Sequence, residues 1–304
     1  MNILGKRYYF FALSLLLIVP GLILLGIKGL PLSIDFTGGT LLEVSFAGGV
    51  TPDTDTLLSI YEDAQIGDAQ ITSTEDNTLI IRSSFLTNEN RDEILSAMRE
   101  TTGAEVTVIK FDSVGPSIGE QVAKRAAFAV AVAAILVVFF IIWSFRKVEN
   151  AFRYGVCAIL AMIHDILIIF SLTGIGAYFF KWEVDSLFLT ALLTVIGFSM
   201  QDTIVVFDRI RENSTILRRV EYETLVNHSI VQTLQRSINT QLMTVEFLLL
   251  ALAMFGGVTL REFAIVLLVG LLSGTYSSIF VAAPILVLWE KREWKTWFRR
   301  SVTA

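Results

Sequence analysis

Six long apolar runs constrain this chain more than any other feature, because a soluble core could not hide them. They are Tyr8–Ile27, Ala126–Phe145, Tyr154–Ile175, Leu187–Phe207, Ile238–Val258 and Phe263–Trp289. A spanning helix needs about 20 predominantly apolar residues, and these runs approach or exceed that length. The chain is 54% hydrophobic with a mean hydropathy of +0.65, well outside the range of soluble domains. The expected fold class is therefore an α-helical polytopic membrane protein with six transmembrane helices. Lys6 and Arg7 give the first run the look of a signal peptide. It is too long for one, and Gly26-Ile27-Lys28-Gly29-Leu30-Pro31 offers no small-residue cleavage site, so an uncleaved anchor is expected. Cys157 is the single cysteine and falls in the third run, so there is no disulfide framework.

Basic residues set the orientation. Lys6 and Arg7, then Arg146, Lys147 and Arg153, then Arg209, Arg211, Arg218 and Arg219, then Lys291, Arg292, Lys295, Arg299 and Arg300 occupy both ends and alternate loops. The opposite short loops carry only Lys181 and Arg261. Both termini are therefore expected in the cytoplasm and residues 29–122 outside. This divides the chain into 1–28, a cytoplasmic N-terminus and first helix; 29–122, an external domain; and 123–304, the remaining five helices. Four basic residues against sixteen acidic ones in 29–122 account for most of the net charge of −5, which says little about partners.

The external segment reads as strand Thr40–Phe46, helix Thr51–Ala64, strands Ala69–Thr74 and Thr78–Ser83 around a turn at Glu75-Asp-Asn77, helix Asn88–Thr101 and strand Ala104–Phe111. That β-α-β-β-α-β order is the ferredoxin-like α+β arrangement. The segment has no His or Cys, and Gly38-Gly39 and Gly48-Gly49 lack nucleotide-loop spacing, so a packing or protein-contact domain is expected rather than an enzyme. Between the fourth and fifth runs, the stretch near 209–235 mixes charges with apolar residues at helical intervals. It reads either as an amphipathic helix on the cytoplasmic face or as a solvated helical hairpin.

The chemistry-bearing residues lie inside the runs. Asp202 stands in the fourth, and a charge near the bilayer centre costs at least about 2.5–3.5 kcal/mol on insertion scales. It needs a partner, a proton or a water-filled cavity. Arg236, at the start of the fifth run, is the candidate partner, and the alternative for it is snorkelling at a helix end. Thr190, Thr194, Gly197 and Gln201 form a stripe bordered by Asp202, and small or polar residues on one side of a span mark a helix–helix contact. Gly270 and Gly274, with Ser273, Ser277 and Ser278, read as a second packing face. His164-Asp165 sits near the centre of the third run as either a buried tie or a proton relay. Adjacent residues diverge by about 100° on a helix and His228 is the only other histidine, so no metal site is expected. Glu246 is a further acid in the fifth run.

These residues carry a resemblance. Ile34-Asp-Phe-Thr-Gly-Gly-Thr40, Val114-Gly-Pro-Ser-Ile-Gly119, His164-Asp165, Gly197-Phe-Ser-Met-Gln-Asp-Thr-Ile-Val-Val-Phe-Asp-Arg-Ile-Arg-Glu-Asn213, Gln235-Arg-Ser-Ile-Asn-Thr240 and Phe255-Gly-Gly257 together resemble the motifs of the SecF family. Its members are the smaller subunits of the bacterial SecD–SecF export complex, within the resistance–nodulation–division superfamily. The resemblance covers nearly the whole chain, with mild departures at Phe198 and Gln201. It implies six spans, a ferredoxin-like external domain, and use of the proton-motive force in late protein export across the bacterial inner membrane. It implies Asp202 and Arg236 as proton-coupling residues, and SecD, the SecYEG channel, YajC and the translocating polypeptide as partners. No cofactor, enzymatic activity or nucleic-acid partner is expected. Glu246 is unfamiliar in the family and is either a local addition to the proton path or a structural acid.

Two other classes compete. A small-molecule or lipid exporter of the same superfamily would share the acid pair but normally has a second large external domain. An intramembrane aspartyl protease using Asp165 and Asp202 would need Gly-x-Gly-Asp, whereas Ser-Met-Gln precedes Asp202.

Overall fold

The computed structural model describes residues 2–47, 52–73, 78–146, 151–241, 247–256 and 258–293. The chain divides into a helical unit, Met1–Pro31 with Ala129–Ala304, and a smaller unit, Leu32–Phe128. In chain order the elements are α1 (Arg7–Lys28), α2 (Ile34–Thr37), β1 (Gly39–Phe46), α3 (Thr54–Asp63), β2 (Gln70–Ser73), β3 (Thr78–Ser83), α4 (Asn88–Thr102) and β4 (Val106–Val114). They continue with α5 (Pro116–Phe145), α6 (Ala151–Phe180), α7 (Ser186–Ile216), α8 (Tyr222–Gln241), α9 (Phe247–Phe255), α10 (Val258–Ser277), a π-helical turn (Ser278–Ala282) and α11 (Ala283–Lys291).

In the smaller unit, alternation of apolar residues along β1 and β3 buries one face of a four-stranded antiparallel sheet, ordered β2-β3-β1-β4. Leu42, Val44 and Ile81 of that face meet Leu57 and Tyr61 of α3 and Met98 of α4 in the core. Thr87 caps α4 by accepting from Asn90 N, and Gly103 ends it in the left-handed region. The strands and helices expected from the sequence all form, with ends shifted by no more than three residues. The short α2 was not anticipated, and the turn at Glu75-Asp-Asn77 and the pair Gly48-Gly49 lie outside the described residues.

Two sequence motifs meet here. Gly38 and Gly39 adopt φ of +74° and +127°, which side chains avoid. An added Cβ on Gly38 would lie 2.7 Å from Pro116 Cα, and one on Gly119 would lie 2.6 Å from Gly38 N. Thr40 Oγ1 accepts from Leu86 N at 2.8 Å and bonds to Ser113 Oγ at 2.9 Å. The first turns of α5 are thus docked backbone to backbone on the start of the sheet.

Among the described residues, five helical stretches are long and apolar enough to cross a membrane: Leu4–Lys28, Pro116–Phe145, Ala151–Phe180, Ser186–Ile216 and Leu260–Lys291. The expected span Ile238–Val258 is divided between the end of α8 and α9, and residues 242–246 between them lie outside the described residues. The stretch near 209–235 takes the helical-hairpin alternative: it comprises the last turns of α7 and most of α8, tied by Arg209 Nε to Gln232 Oε1 and Asn213 Nδ2 to Ser229 Oγ. Close approach of α1 and α6 requires glycine, since an added Cβ on Gly21 would overlap the Ser171 carbonyl, and one on Gly174 would overlap that of Gly21.

At one end of this unit, charges clasp three segments. Arg7 donates to Glu223 at 2.9 Å and to Glu293 at 2.6 Å, Lys291 donates to Glu221 and Glu223, and Asn227 Oδ1 accepts from Ile3 N. Hydrogen bonds from Lys291, and then from Arg7, hold the Glu223 carboxyl below the usual carboxylate range. A lowered value means that the stabilisation is complete above the unfolded-state pKa and is lost as pH falls through the folded-state one. Glu223→Gln should therefore lower the thermal midpoint of the solubilised protein at neutral pH. The difference from wild type should shrink as pH falls through and below the usual carboxylate range, and an unchanged difference in acid would remove Glu223 from the clasp.

Candidate functional site

Four elements of the helical unit converge on two buried carboxyls. Asp165 of α6 is 1% exposed and Asp202 of α7 is 8% exposed. Spacing explains the convergence. Ser199 and Asp202 are three apart on α7, and Ser273 and Ser277 are four apart on α10, so each pair shares a helix face. Asp165 Oδ2 accepts from Ser199 Oγ at 2.5 Å and Ser277 Oγ at 2.6 Å. Its Oδ1 accepts from Ser273 Oγ at 2.6 Å and lies 3.1 Å from His164 Nδ1. Asp202 Oδ1 accepts from Ser237 Oγ of α8 at 2.7 Å, and Oδ2 from Ser278 Oγ of the π turn at 2.6 Å.

The polar chain extends toward α1. His164 Nε2 lies 2.9 Å from Ser14 Oγ, and the His164 ring stacks on Tyr276, with centroids 5.9 Å apart. Tyr276 donates its hydroxyl to the Phe10 carbonyl at 2.7 Å. Ser14 Oγ also lies 3.4 Å from the Tyr276 hydroxyl, so Ser14 joins both rings to α1.

Hydroxyl donors change the energetics expected for Asp202. A hydrogen bond to a charged group contributes about 1.5–3 kcal/mol, so two of them offset the roughly 2.5–3.5 kcal/mol cost of an acid at membrane depth.

Several expected placements differ. Among the described residues no ion pair joins Asp202 to Arg236, which is exposed and attracts the carboxyl only at longer range. Neighbouring residues point about 100° apart on a helix, and Ser237 rather than Arg236 occupies the inward position on α8. Gly270 and Gly274 do lie on a packing face. A Cβ on Gly270 would overlap Val195, and one on Gly274 would lie 3.0 Å from Ser199 Cβ. Their absence of side chains lets Ser273 and Ser277 reach Asp165. Gly197 does not belong to an internal seam. It is exposed with open space beyond its Cα, because it lies about 200° around α7 from Ser199. Glu246 lies outside the described residues, and among those described no cluster of three His, Cys, Asp or Glu could hold a metal.

The sequence reading missed Ser199, Ser237, Ser14 and Tyr276, and took Ser273, Ser277 and Ser278 only as part of a packing face. The available signal was the i,i+3 and i,i+4 spacing of serines beside intramembrane acids. Ser278→Ala leaves one oxygen of Asp202 without its donor, at a cost of about 1–3 kcal/mol. Thermal unfolding of the solubilised protein should show this loss, with Ser278→Thr losing less because it keeps a hydroxyl. Equal midpoints for wild type and Ser278→Ala would show that the hydroxyl does not hold Asp202.

Comparison with known proteins places this geometry. Residues 94–292 match the family described as protein export membrane protein SecD/SecF, C-terminal, and residues 23–50 match the SecD/SecF GG motif. The protein translocase subunit SecF of Anaerolinea thermophila is 62% identical over 99% of this chain and 98% of its own length. The protein translocase subunit SecDF of Thermus thermophilus is 36% identical over 96% of this chain, which spans only 39% of that relative. A crystal structure of SecDF, a translocon-associated membrane protein from Thermus, superposes with a TM-score of 0.81 at 35% identity, covering 96% of this chain and 39% of that one. With nearly two thirds of its length in the family's C-terminal region and its sheet opening on the family's glycine motif, the chain belongs to the SecD/SecF family of multi-pass protein-export membrane proteins.

Proposed function

We propose that this chain is the SecF-type subunit of a Sec accessory complex, which uses the proton-motive force to drive late steps of protein export. The observation that carries this reading is the cage around Asp202, an acid at membrane depth held by neutral hydroxyls from α8 and the π turn rather than by a cation in contact. A proton falling through 100 mV supplies about 2.3 kcal/mol, roughly a fifty-fold shift in a two-state equilibrium. Loading Asp202 with a proton changes which hydroxyls it can accept from, and so biases the packing of α7, α8 and α10. Arg236 acts from a distance, favouring the ionised state until that proton arrives.

The finer architecture follows the same reading. The sheet order and the β-α-β-β-α-β sequence support reading the smaller unit as ferredoxin-like, with the passenger polypeptide as its working environment. The end of α8 and α9 are assigned to a sixth span, which their place in the apolar run Ile238–Val258 supports. Both termini are cytoplasmic and the smaller unit is extracytoplasmic. The Thermus relative carries SecD and SecF portions in one chain, which supports SecD as the separate partner here. SecYEG and YajC complete the assembly by family resemblance. The exposed stripe of Thr190, Gly197 and Gln201 on α7 is suited to contact with SecD.

Orientation is checked by labelling intact cells with an impermeant thiol reagent, since Cys157 is buried and gives little background. Glu100→Cys should be modified and Val220→Cys spared until the cells are opened. The reverse pattern would refute both the orientation and the export reading. The mechanism is checked with Asp202→Asn, which keeps the side-chain shape but cannot be ionised. In cells lacking the native protein it should assemble with SecD yet lose gradient-dependent export of a secreted reporter by at least about ten-fold, the scale of losing a coupling of 1–3 kcal/mol. Export at the wild-type rate would sink the proton-carrier role.

A further inference from the structure

Ser277 and Ser278 are consecutive residues, one ending α10 and the other opening the π-helical turn, and they serve different acids. Ser277 Oγ lies 2.6 Å from Asp165 Oδ2, and Ser278 Oγ lies 2.6 Å from Asp202 Oδ2. Each hydroxyl also has a second acceptor on its own helix. Ser277 Oγ is 3.2 Å from the Gly274 carbonyl, and Ser278 Oγ is 3.0 Å from the Thr275 carbonyl. A hydroxyl has one hydrogen, so each serine must choose between a carboxylate and a backbone carbonyl. A second brace joins the same acids across α7, where Ser199 donates to Asp165 three residues before Asp202.

We infer that Asp165 is a second proton-carrying acid, coupled to Asp202 through the Ser277–Ser278 turn, so that the two carboxyls titrate as one unit. This rests on the reading of Asp202 as the proton carrier and extends it to a pair. When a proton from the aqueous phase binds Asp202 Oδ2, the O–H bond of its hydronium donor breaks, a water is released and a new O–H bond forms on the carboxyl. The acid now donates to Ser278 Oγ, which swings its hydrogen to the Thr275 carbonyl. A π turn already has loosened, i→i+5 geometry and marks functional positions in helices, so it can absorb that change. Movement of Ser278 displaces its neighbour Ser277 along the same turn, and Asp165 loses or regains a donor. Protonation of either acid is thereby felt by the other. Among the described residues, the titratable or charged groups facing the pair are His164 on α6, Tyr276 on α10 and Arg236 on α8, while α1 contributes Ser14. His164 joins Asp165 directly and gives that acid a titratable neighbour.

The test is a pH titration of the purified full-length protein in lipid nanodiscs, followed by difference infrared spectroscopy of the protonated-carboxyl stretch. The bands of Asp202 and Asp165 are assigned by their loss in Asp202→Asn and Asp165→Asn. In the wild type, both bands should follow the same two steps. In Asp165→Asn, Asp202 should titrate in a single step displaced by about one pH unit, the scale at which coupled sites behave as a pair. Ser277→Ala leaves both acids in place and does not touch Asp202, yet it should also displace the Asp202 step. If Asp165→Asn does not fold, Ser277→Ala decides alone. An Asp202 midpoint unchanged in Ser277→Ala overturns the coupling and leaves Asp165 a structural tie. Because no partner or export is needed, the readout is separate from the export experiment. Coupled titration alongside full gradient-dependent export by Asp202→Asn would support the pair and overturn only its role in transport.

Discussion

The helical unit depends on satisfying two carboxyls where water is scarce. Asp165 and Asp202 are buried among helices whose neighbouring contacts are largely apolar or between small residues. Every hydroxyl that answers them must come from a neighbouring helix, and each hydrogen bond therefore fixes a distance between two elements. Asp165 gathers α7 and α10 onto α6, while Asp202 gathers α8 and the π turn onto α7. Replacing such a network with hydrocarbon would give a bundle with less reason to prefer one packing.

Small residues make that network reachable. Gly270 and Gly274 bring α10 close enough to α7 for the serines on the same face to span the remaining gap to Asp165. Gly21 and Gly174 do the same for α1 and α6, and so position Ser14 against His164. Close packing and polar contact are one requirement here, because a hydroxyl on a short side chain bonds only across nearly touching backbones.

In the smaller unit the governing constraint is conformational. Gly38-Gly39 turns from α2 into β1 through backbone angles that side chains avoid, and Gly119 lets the start of α5 rest on that turn. Two motifs separated by most of a domain in the chain are halves of a single contact. The first turns of α5 thus form one body with the sheet, and α5 continues from there into an apolar stretch long enough to cross a membrane.

Membrane class, the positions of most apolar helices and the order of strands and helices within residues 29–122 were legible in the sequence. Each depends on local periodicity or run length, which neighbouring residues set by themselves. Asp202 and Asp165 were legible as candidates for the same reason, since an acid in an apolar run stands out without any knowledge of its surroundings. What answers those acids was not. Arg236 is the obvious electrostatic complement, but a helix offers only one of two adjacent positions to a given neighbour, and rotation of α8 presents Ser237. Gly197 likewise looked like Gly270 and Gly274 in sequence, and only the rotation of α7 set it outside the bundle. Helix rotation arises from contacts among all the packed elements together. The sequence by itself therefore determined which groups are buried in the membrane, and the tertiary structure decided which of them touch.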